Sequence, residues 1–342
     1  MAGGGERIGP GEAPPLARLS PGRGSAALPA IGAFLRGRRE ATVAGMLVLV
    51  FVLLCFASPF FLTERNLFNV ARQISVTGIV ALGEAMVIIA GGIDLSVGSV
   101  IGLAAVCAAM LAAATGSPLL GILAAIGIGL VVGVVNGTLV TRARINPFIT
   151  TLGTLSVARG AALLLTDGNP QPFSNWAAFL GGGKIGAVPV QFILLVLLAC
   201  ATWVFALRTR WGRDAYAVGD NARAARLAGV RVEFTRTLVF AIAGAFAGLG
   251  GLLLAGMLAN ANPNLGLGYE LDVIAAVILG GVALTGGRGS IGGVVIGAAL
   301  MGLLRNAFVL LNVSGYWQTI TIGLVVIVAV GADSLNRAAD ED

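Results

Sequence analysis

The sequence predicts an all-α, polytopic membrane protein of about ten transmembrane helices, with the N- and C-termini in the cytoplasm. Three observations carry that prediction. The 342 residues are 57% hydrophobic and only 11% charged, where soluble domains run near ~25% charged. The apolar residues fall into long runs, and crossing a bilayer takes roughly 17–25 of them. The cations collect in alternate connections, which sets orientation.

Taken in order, residues 1–40 are rich in Gly, Pro, Ala and Arg and lack apolar periodicity; they read as a disordered cytoplasmic tail. Arg36, Arg38 and Arg39 precede the first apolar run. The membrane domain is 41–331, with spans at about 41–61, 74–90, 97–114, 119–140, 147–165, 188–207, 237–257, 271–284, 291–311 and 317–331. The second span is short, so the segment after it is expected partly at membrane depth, as a broken helix. A short charged tail, 332–342, closes the chain. By alternation the inner connections hold Arg142, Arg144, Arg288, Arg337 and the seven arginines of 208–236. Outer connections hold only Arg65, Arg72 and Lys184.

Composition also excludes chemistry. There is no His, so imidazole metal sites and His proton relays are ruled out. Cys55, Cys107 and Cys200 lie in apolar runs, too far apart for a CxxC site, and read as packing residues. The formal charge of +6 speaks of topology rather than of nucleic acid. Gly181-Gly-Gly-Lys-Ile-Gly186 fits GxGxxG but has no strand before it, and no Walker A motif occurs. The chain therefore has no catalytic or metal site and is not an enzyme.

Three features carry polar chemistry in apolar surroundings. Gly91-Gly-Ile-Asp-Leu-Ser-Val-Gly-Ser99 places Asp94, Ser96 and Ser99 among Gly91, Gly92 and Gly98. Adjacent glycines weaken a helix, and an ionised Asp costs at least ~2.5–3.5 kcal/mol near hydrocarbon. Asp94 either lines a hydrated pathway or caps the helix starting near Val97. Glu84, ten residues earlier, would not share its face on one helix. The segment has a faint echo from Gly280 to Gly297, and paired Gly-interrupted helices point to transporter sites. Second, Arg159 and Arg305 sit within spans. Each either pairs with a carboxylate such as Glu84 or Asp94, or reaches water at a membrane face. Tyr269, Glu270 and Asp272 open the eighth span, where acids suit the helix dipole or meet a partner at the outer mouth. Third, the stretch 208–236 carries Gly219-Asp-Asn221 as a turn with an N-cap, 222–228 as a short helix and Gly229 as its stop. A merely topogenic loop needs no such design, so it reads as a docking element.

Several blocks together resemble the permease subunits of ribose/xylose-type ABC sugar importers. They are Gly91 to Ser99; Asn136-Gly with Arg144-Ile-Asn-Pro-Phe-Ile-Thr-Thr-Leu-Gly153; Gly212-Arg213, Ala217-Val-Gly219, Asn221 and Ala224-Ala-Arg-Leu-Ala-Gly229; then Gly268-Tyr-Glu-Leu-Asp272, Ile274-Ala-Ala, Gly280-Gly and Gly286-Gly-Arg-Gly-Ser290. They run in order over about 75–330. The resemblance implies a multi-pass permease of the bacterial inner membrane that works as a pair, homo- or heterodimeric. Two ATPase subunits would use the ATP, a periplasmic binding protein would deliver a monosaccharide or polyol, and this chain would bind no cofactor, with membrane lipid around it and no nucleic acid partner. By that likeness Gly91, Gly92, Asp94, Ser96, Gly98 and Ser99 shape the translocation pathway. Gly212, Arg213, Gly219, Asn221, Ala224, Ala225 and Gly229 form the ATPase-coupling element. The alternatives are an ion-coupled secondary transporter using Asp94 or Glu84, and a membrane scaffold or receptor.

Overall fold

A computed structural model describes residues 1–3, 27–173 and 175–341. The chain divides into two units, Met1–Arg39 and Glu40–Asp342, and the second holds the membrane domain. Most of the expected 1–40 tail lies outside the described residues.

The elements are helices: α1 (Ala27–Ala57), α2 (Glu64–Ile89), α3 (Val97–Thr115), α4 (Pro118–Thr141), α5 (Pro147–Thr166), α6 (Asn175–Gly182), α7 (Val190–Arg208), α8 (Arg210–Leu227), α9 (Val232–Leu258), α10 (Tyr269–Leu279), α11 (Ile291–Leu310) and α12 (Gly315–Glu341). Two-residue ladders add little: Gln171–Pro172 pairs antiparallel with Asn260–Ala261, and Lys184–Ile185 with Val188–Pro189. Each predicted span falls on a helix. Seven of the described helices are long and apolar enough to cross a membrane: α2, α3, α4, α5, α7, α9 and α11. Shorter apolar segments lie at Ala41–Ala57 and Gly315–Val328. The protein is thus a helical, polytopic membrane protein.

Two spans differ from expectation. α2 is not short. Its 26 residues extend about 39 Å, because Thr63 caps it at Asn66 and the polar Arg65, Asn66, Arg72 and Gln73 are good enough helix formers. Hydropathy hides that first third. α10 is short, with 11 residues covering about 16 Å of a ~30 Å hydrocarbon core. It follows a non-helical return from the end of α9.

The core centres on α9. Along α4, Ala125, Gly129, Gly133 and Gly137 recur every four residues and meet α9 at Gly248, Gly244, Phe240 and Thr237 respectively. The descending order shows antiparallel helices. Four-residue spacing puts the small residues on one face, and their missing side chains let the backbones close. A Cβ added at Gly129 would lie 2.0 Å from the Gly244 carbonyl oxygen. On another side of α9, Gly83 of α2 meets Ala243. α2 in turn packs on α11, where Gly302 meets Ile74. Buried Val, Ile, Leu and Ala fill the space between these helices, whereas the outer faces of α1, α4, α5 and α7 expose Leu, Val and Phe, as lipid contact requires.

Candidate functional site

α2 stops at Ile89 by a left-handed cap. Gly91 has φ +78°; its N–H donates to the Ile88 carbonyl (2.9 Å), and the Gly92 N–H donates to Val87 (3.0 Å). Only glycine takes that φ without cost. The end of α10 repeats the arrangement. Gly281 has φ +84°, its N–H donates to Ile278 (2.9 Å), and the Val282 N–H donates to Val277 (3.2 Å). The two segments thus share a backbone break, with Gly91 answering to Gly281, one residue out of step with the sequence echo. The two breaks also touch, since the Gly287 N–H donates to the Ile89 carbonyl at 2.8 Å.

Past Gly92 the chain turns back along its own helix. The Asp94 N–H donates to Glu84 Oε1 at 3.0 Å. Two acids that one straight helix would have separated are joined because Gly91 reverses the backbone. Asp94 Oδ1 accepts from the Ser96 N–H (2.8 Å) and Ser96 Oγ (2.5 Å). Asn136 Nδ2, from α4, donates to Ser96 Oγ (3.0 Å) and Asp94 Oδ2 (3.4 Å). Thr154 of α5 donates to Asn136 Oδ1 (2.6 Å), and Thr151 donates to the Ile93 carbonyl (3.2 Å). Glu84, Asp94, Ser96, Ser99 and Asn136 are all buried. Non-helical backbone is tolerated at membrane depth only when protein covers it, and here three helices do. Asp94 Oδ1 holds the Ser96 N–H just ahead of α3 in the manner of a cap, while Ser96 itself makes no side-chain cap bond.

Above this knot, α3 begins with Gly98 and Gly102 facing the chain's return from α9. A Cβ at Gly98 would meet Glu270 Oε2 and the Gly266 carbonyl, and one at Gly102 would meet Leu265. Arg159, about 18 Å along α5, ties the two together. Its Nη1 donates to the Pro263 (2.6 Å) and Leu265 (3.0 Å) carbonyls and its Nη2 to Gly98 (3.4 Å). Neither interior arginine pairs with Glu84 or Asp94. Arg159 saturates open carbonyls, and Arg305 pairs with Asp272 and lies 5.4 Å from the Tyr269 ring centroid. Asp272 is thus buried in an ion pair within the protein. Its partner lies a whole helix away, beyond any local spacing rule.

The stretch 208–236 is built as one bent helix and a cap. α8 is continuous from Arg210 except at Asn221, whose φ of −153° breaks it; Gly219 and Asp220 are helical, so the expected turn shrinks to one residue. Asn221 Oδ1 accepts from the N–H groups of Arg223 (3.0 Å) and Ala224 (2.9 Å), starting the second part. Gly229, at φ +83°, stops it. Gly212 makes the corner with α7, where a Cβ would strike the Phe205 carbonyl oxygen at 2.1 Å. Arg213 donates to the Arg208 carbonyl at 3.3 Å. Ala225 is buried against Val218 and Val232, so it supports the element from within. The open face holds Ala224, Ala228 and Leu227, an apolar side chain 85% exposed. Nothing in the spacing marked Leu227, though an apolar Leu beside Arg226 in a cationic stretch was a signal available in the sequence.

Gly219 joins this element to the breaks. A Cβ on Gly219 would lie 1.7 Å from the Ile89 carbonyl oxygen and 2.6 Å from the Gly287 nitrogen. Three glycine segments far apart in sequence therefore meet at one junction.

A family model described as branched-chain amino acid transport system / permease component matches residues 66–330. The chain belongs to that permease family. Among curated relatives, the ribose import permease protein RbsC of Bacillus subtilis is 39% identical over 297 residues, 86% of this chain and 92% of the relative. RbsC of Escherichia coli K12 is 38% identical, covering 87% and 94%. The galactose/methyl galactoside import permease protein MglC of Salmonella typhimurium is 37% identical, covering 89% and 97%. No solved structure matches the permease.

The GxGxxG stretch of this permease is structural: the Gly181 carbonyl accepts from Arg72 Nη2 (2.6 Å) and from Gln191. Cys55 and Cys107 are half-buried, but Cys200 is exposed on α7 and does not pack as expected. Among the described residues no His/Cys/Asp/Glu group has the makings of a metal site.

Proposed function

We propose that this permease forms the membrane pathway of an ATP-binding-cassette importer for a monosaccharide or polyol in the bacterial inner membrane. The observation that carries the reading is similarity over nearly the full length to ribose and galactose import permeases. The finer picture is ten crossings with α10 as a partial one, both termini in the cytoplasm, and two permease copies per transporter. Separate ATPase subunits hydrolyse ATP, and a periplasmic binding protein delivers the sugar.

In this reading the 221–229 segment enters a groove on the ATPase, with Leu227 as its apolar anchor. Movement there passes through Gly219 to the Ile89 and Gly287 backbones, because the contact has no side chain to absorb it. The segment from Gly91 to Ser99 then shapes the pathway by its backbone. Asp94 serves as a clamp: both its oxygens accept bonds from the segment or from α4. The same bonds disfavour Asp94 as an ion site; Glu84, also buried, gives one oxygen to the Asp94 N–H.

Reconstitution tests this. Vesicles holding the permease with its ATPase and binding protein are expected to accumulate labelled monosaccharide only with ATP. Uptake by this chain alone on an ion gradient would overturn the proposal. Leu227→Asp is expected to reduce ATPase co-purification at least tenfold without altering permease stability, since the side chain is exposed.

A further inference from the structure

A cleft of about 430 Å³ opens between two corners of the fold, that joining α4 to α5 and that joining α8 to α9. Its polar lining is Thr141, Arg144, Asn146, Arg226, Glu233 and Arg236. These arginines are not among the residues whose backbones form the junction of the two breaks. Three guanidinium groups share the cleft with one carboxylate. Glu233 is engaged by Arg226, whose Nη2 lies 2.5 Å from Glu233 Oε1, which leaves the cleft with a net positive charge. Arg236 is half-buried, and its buried Nε finds no hydrogen-bond partner among the described residues. A cation held half out of water with an unused donor, beside two more cations, is costly unless an anion joins it.

The chemistry of that anion follows from the donors. Guanidinium forks match the paired oxygens of a phosphate, and several forks converging on one cleft distinguish a multi-oxygen anion from a lone carboxylate. The surroundings bear on its source. Phe148 and Ile149, the two residues after the lining Pro147, are 52% and 63% exposed, and Phe234, next to Glu233, is 49% exposed. Apolar surface thus flanks the basic cleft, an arrangement suited to an amphiphile whose phosphate enters the cleft while its chains lie on the aromatic and aliphatic side. Basic pockets between membrane helices take lipid headgroups in this way.

We propose that the cleft between the α4–α5 and α8–α9 corners is a binding site for a phosphate-bearing anion, held by Arg144, Arg226 and Arg236. The flanking apolar residues favour the phosphodiester headgroup of an anionic phospholipid over a soluble phosphate. Glu233 limits affinity by competing for Arg226. Arg226 lies in the 221–229 segment assigned to the ATPase groove, so binding is measured on the permease alone, where its outcome does not depend on the transport reading.

The test uses the full chain in nanodiscs of phosphatidylcholine with or without phosphatidylglycerol, and in neutral detergent with added inorganic phosphate. Retained phosphatidylglycerol is read by native mass spectrometry, and phosphate binding by thermal shift. Wild type is expected to retain phosphatidylglycerol selectively and to lose it as salt rises. The R144Q/R236Q double variant is expected to weaken retention roughly tenfold or more, given the strength of hydrogen bonds to charged groups. E233Q is expected to strengthen it several-fold, and this gain of binding needs no damaged protein to be seen. Thermal stabilisation by inorganic phosphate in wild type, lost in R144Q/R236Q, with no selective lipid retention, would support the phosphate site and assign it to a soluble source. Equal binding of both probes by wild type and R144Q/R236Q, or unchanged binding by E233Q, would overturn the proposal.

Discussion

The two helix breaks of this permease share a cap but not a lock. At Gly91 and at Gly281 the chain leaves a helix through the same left-handed glycine and the same pair of backbone bonds. After Gly91 it enters a buried knot in which Glu84, Asp94, Ser96, Asn136 and Thr154 bond one another across α2, α4 and α5. After Gly281 it makes a turn closed mainly by backbone, with the Gly286 N–H on Ala283 and the Ala283 N–H on Arg288, and with Tyr216 Oη donating to the Gly289 carbonyl at 3.2 Å. Arg288 itself faces outward. The difference lies in the partners each break finds. Buried carbonyls and N–H groups away from a helix must find partners inside the protein, and the first break finds them among side chains of other helices. The second, where Val282, Ala283 and Gly286 are also buried, meets its needs mostly with backbone bonds, one of them from the Gly287 N–H to the Ile89 carbonyl. One backbone device, used twice, thus acquires rigidity from its surroundings rather than from its own sequence.

Six substitutions break or sharpen that contrast, measured as changes in unfolding stability of the purified permease and as transport in vesicles. Gly219→Val strikes the backbone of both breaks at once and is expected to cost more than about 3 kcal/mol and abolish transport. Survival of both would dissolve the junction. Asp94→Ala leaves the Ser96 N–H and Ser96 Oγ without their acceptor and takes one of two from the Asn136 amide, for a loss of about 2–4 kcal/mol; Asp94→Asn keeps one acceptor oxygen and is expected to cost less than half as much. Equal losses would make the charge, not the geometry, the important property. Gly91→Ala and Gly281→Ala each add a Cβ with no close clash, so both are expected to cost only the left-handed backbone term, about 1–2 kcal/mol. Unequal costs would show that the two caps differ after all. Smallest is Arg288→Ala, within about 0.5 kcal/mol, since its side chain is exposed.

Much of the fold was legible. Apolar runs located every crossing helix, because the bilayer leaves the chain no other way to satisfy its backbone. Asn221 and Gly229 marked the start and stop of the short helix between them, because caps depend on local chemistry alone. The extent of α2 was not legible, since its polar first turns look like a loop to hydropathy. Nor was the partner of Arg305, since Asp272 lies 33 positions away and a sequence offers several acids to choose among. Ala225 and Leu227 looked alike as members of one small helix; only packing showed one buried and the other open.

By itself the sequence determined the membrane class, the helices, the glycine breaks and, through the blocks from Gly91 to Ser290, the permease family. These depend on local propensity, hydropathy and residue identity, all carried along the chain. Tertiary structure alone decided that Gly219 meets Ile89 and Gly287, that Glu84 holds the Asp94 backbone, and that Arg159 carries the return of the chain from α9. Those contacts form between helices, where the absence of a Cβ or the reach of one guanidinium is set by how backbones approach in space.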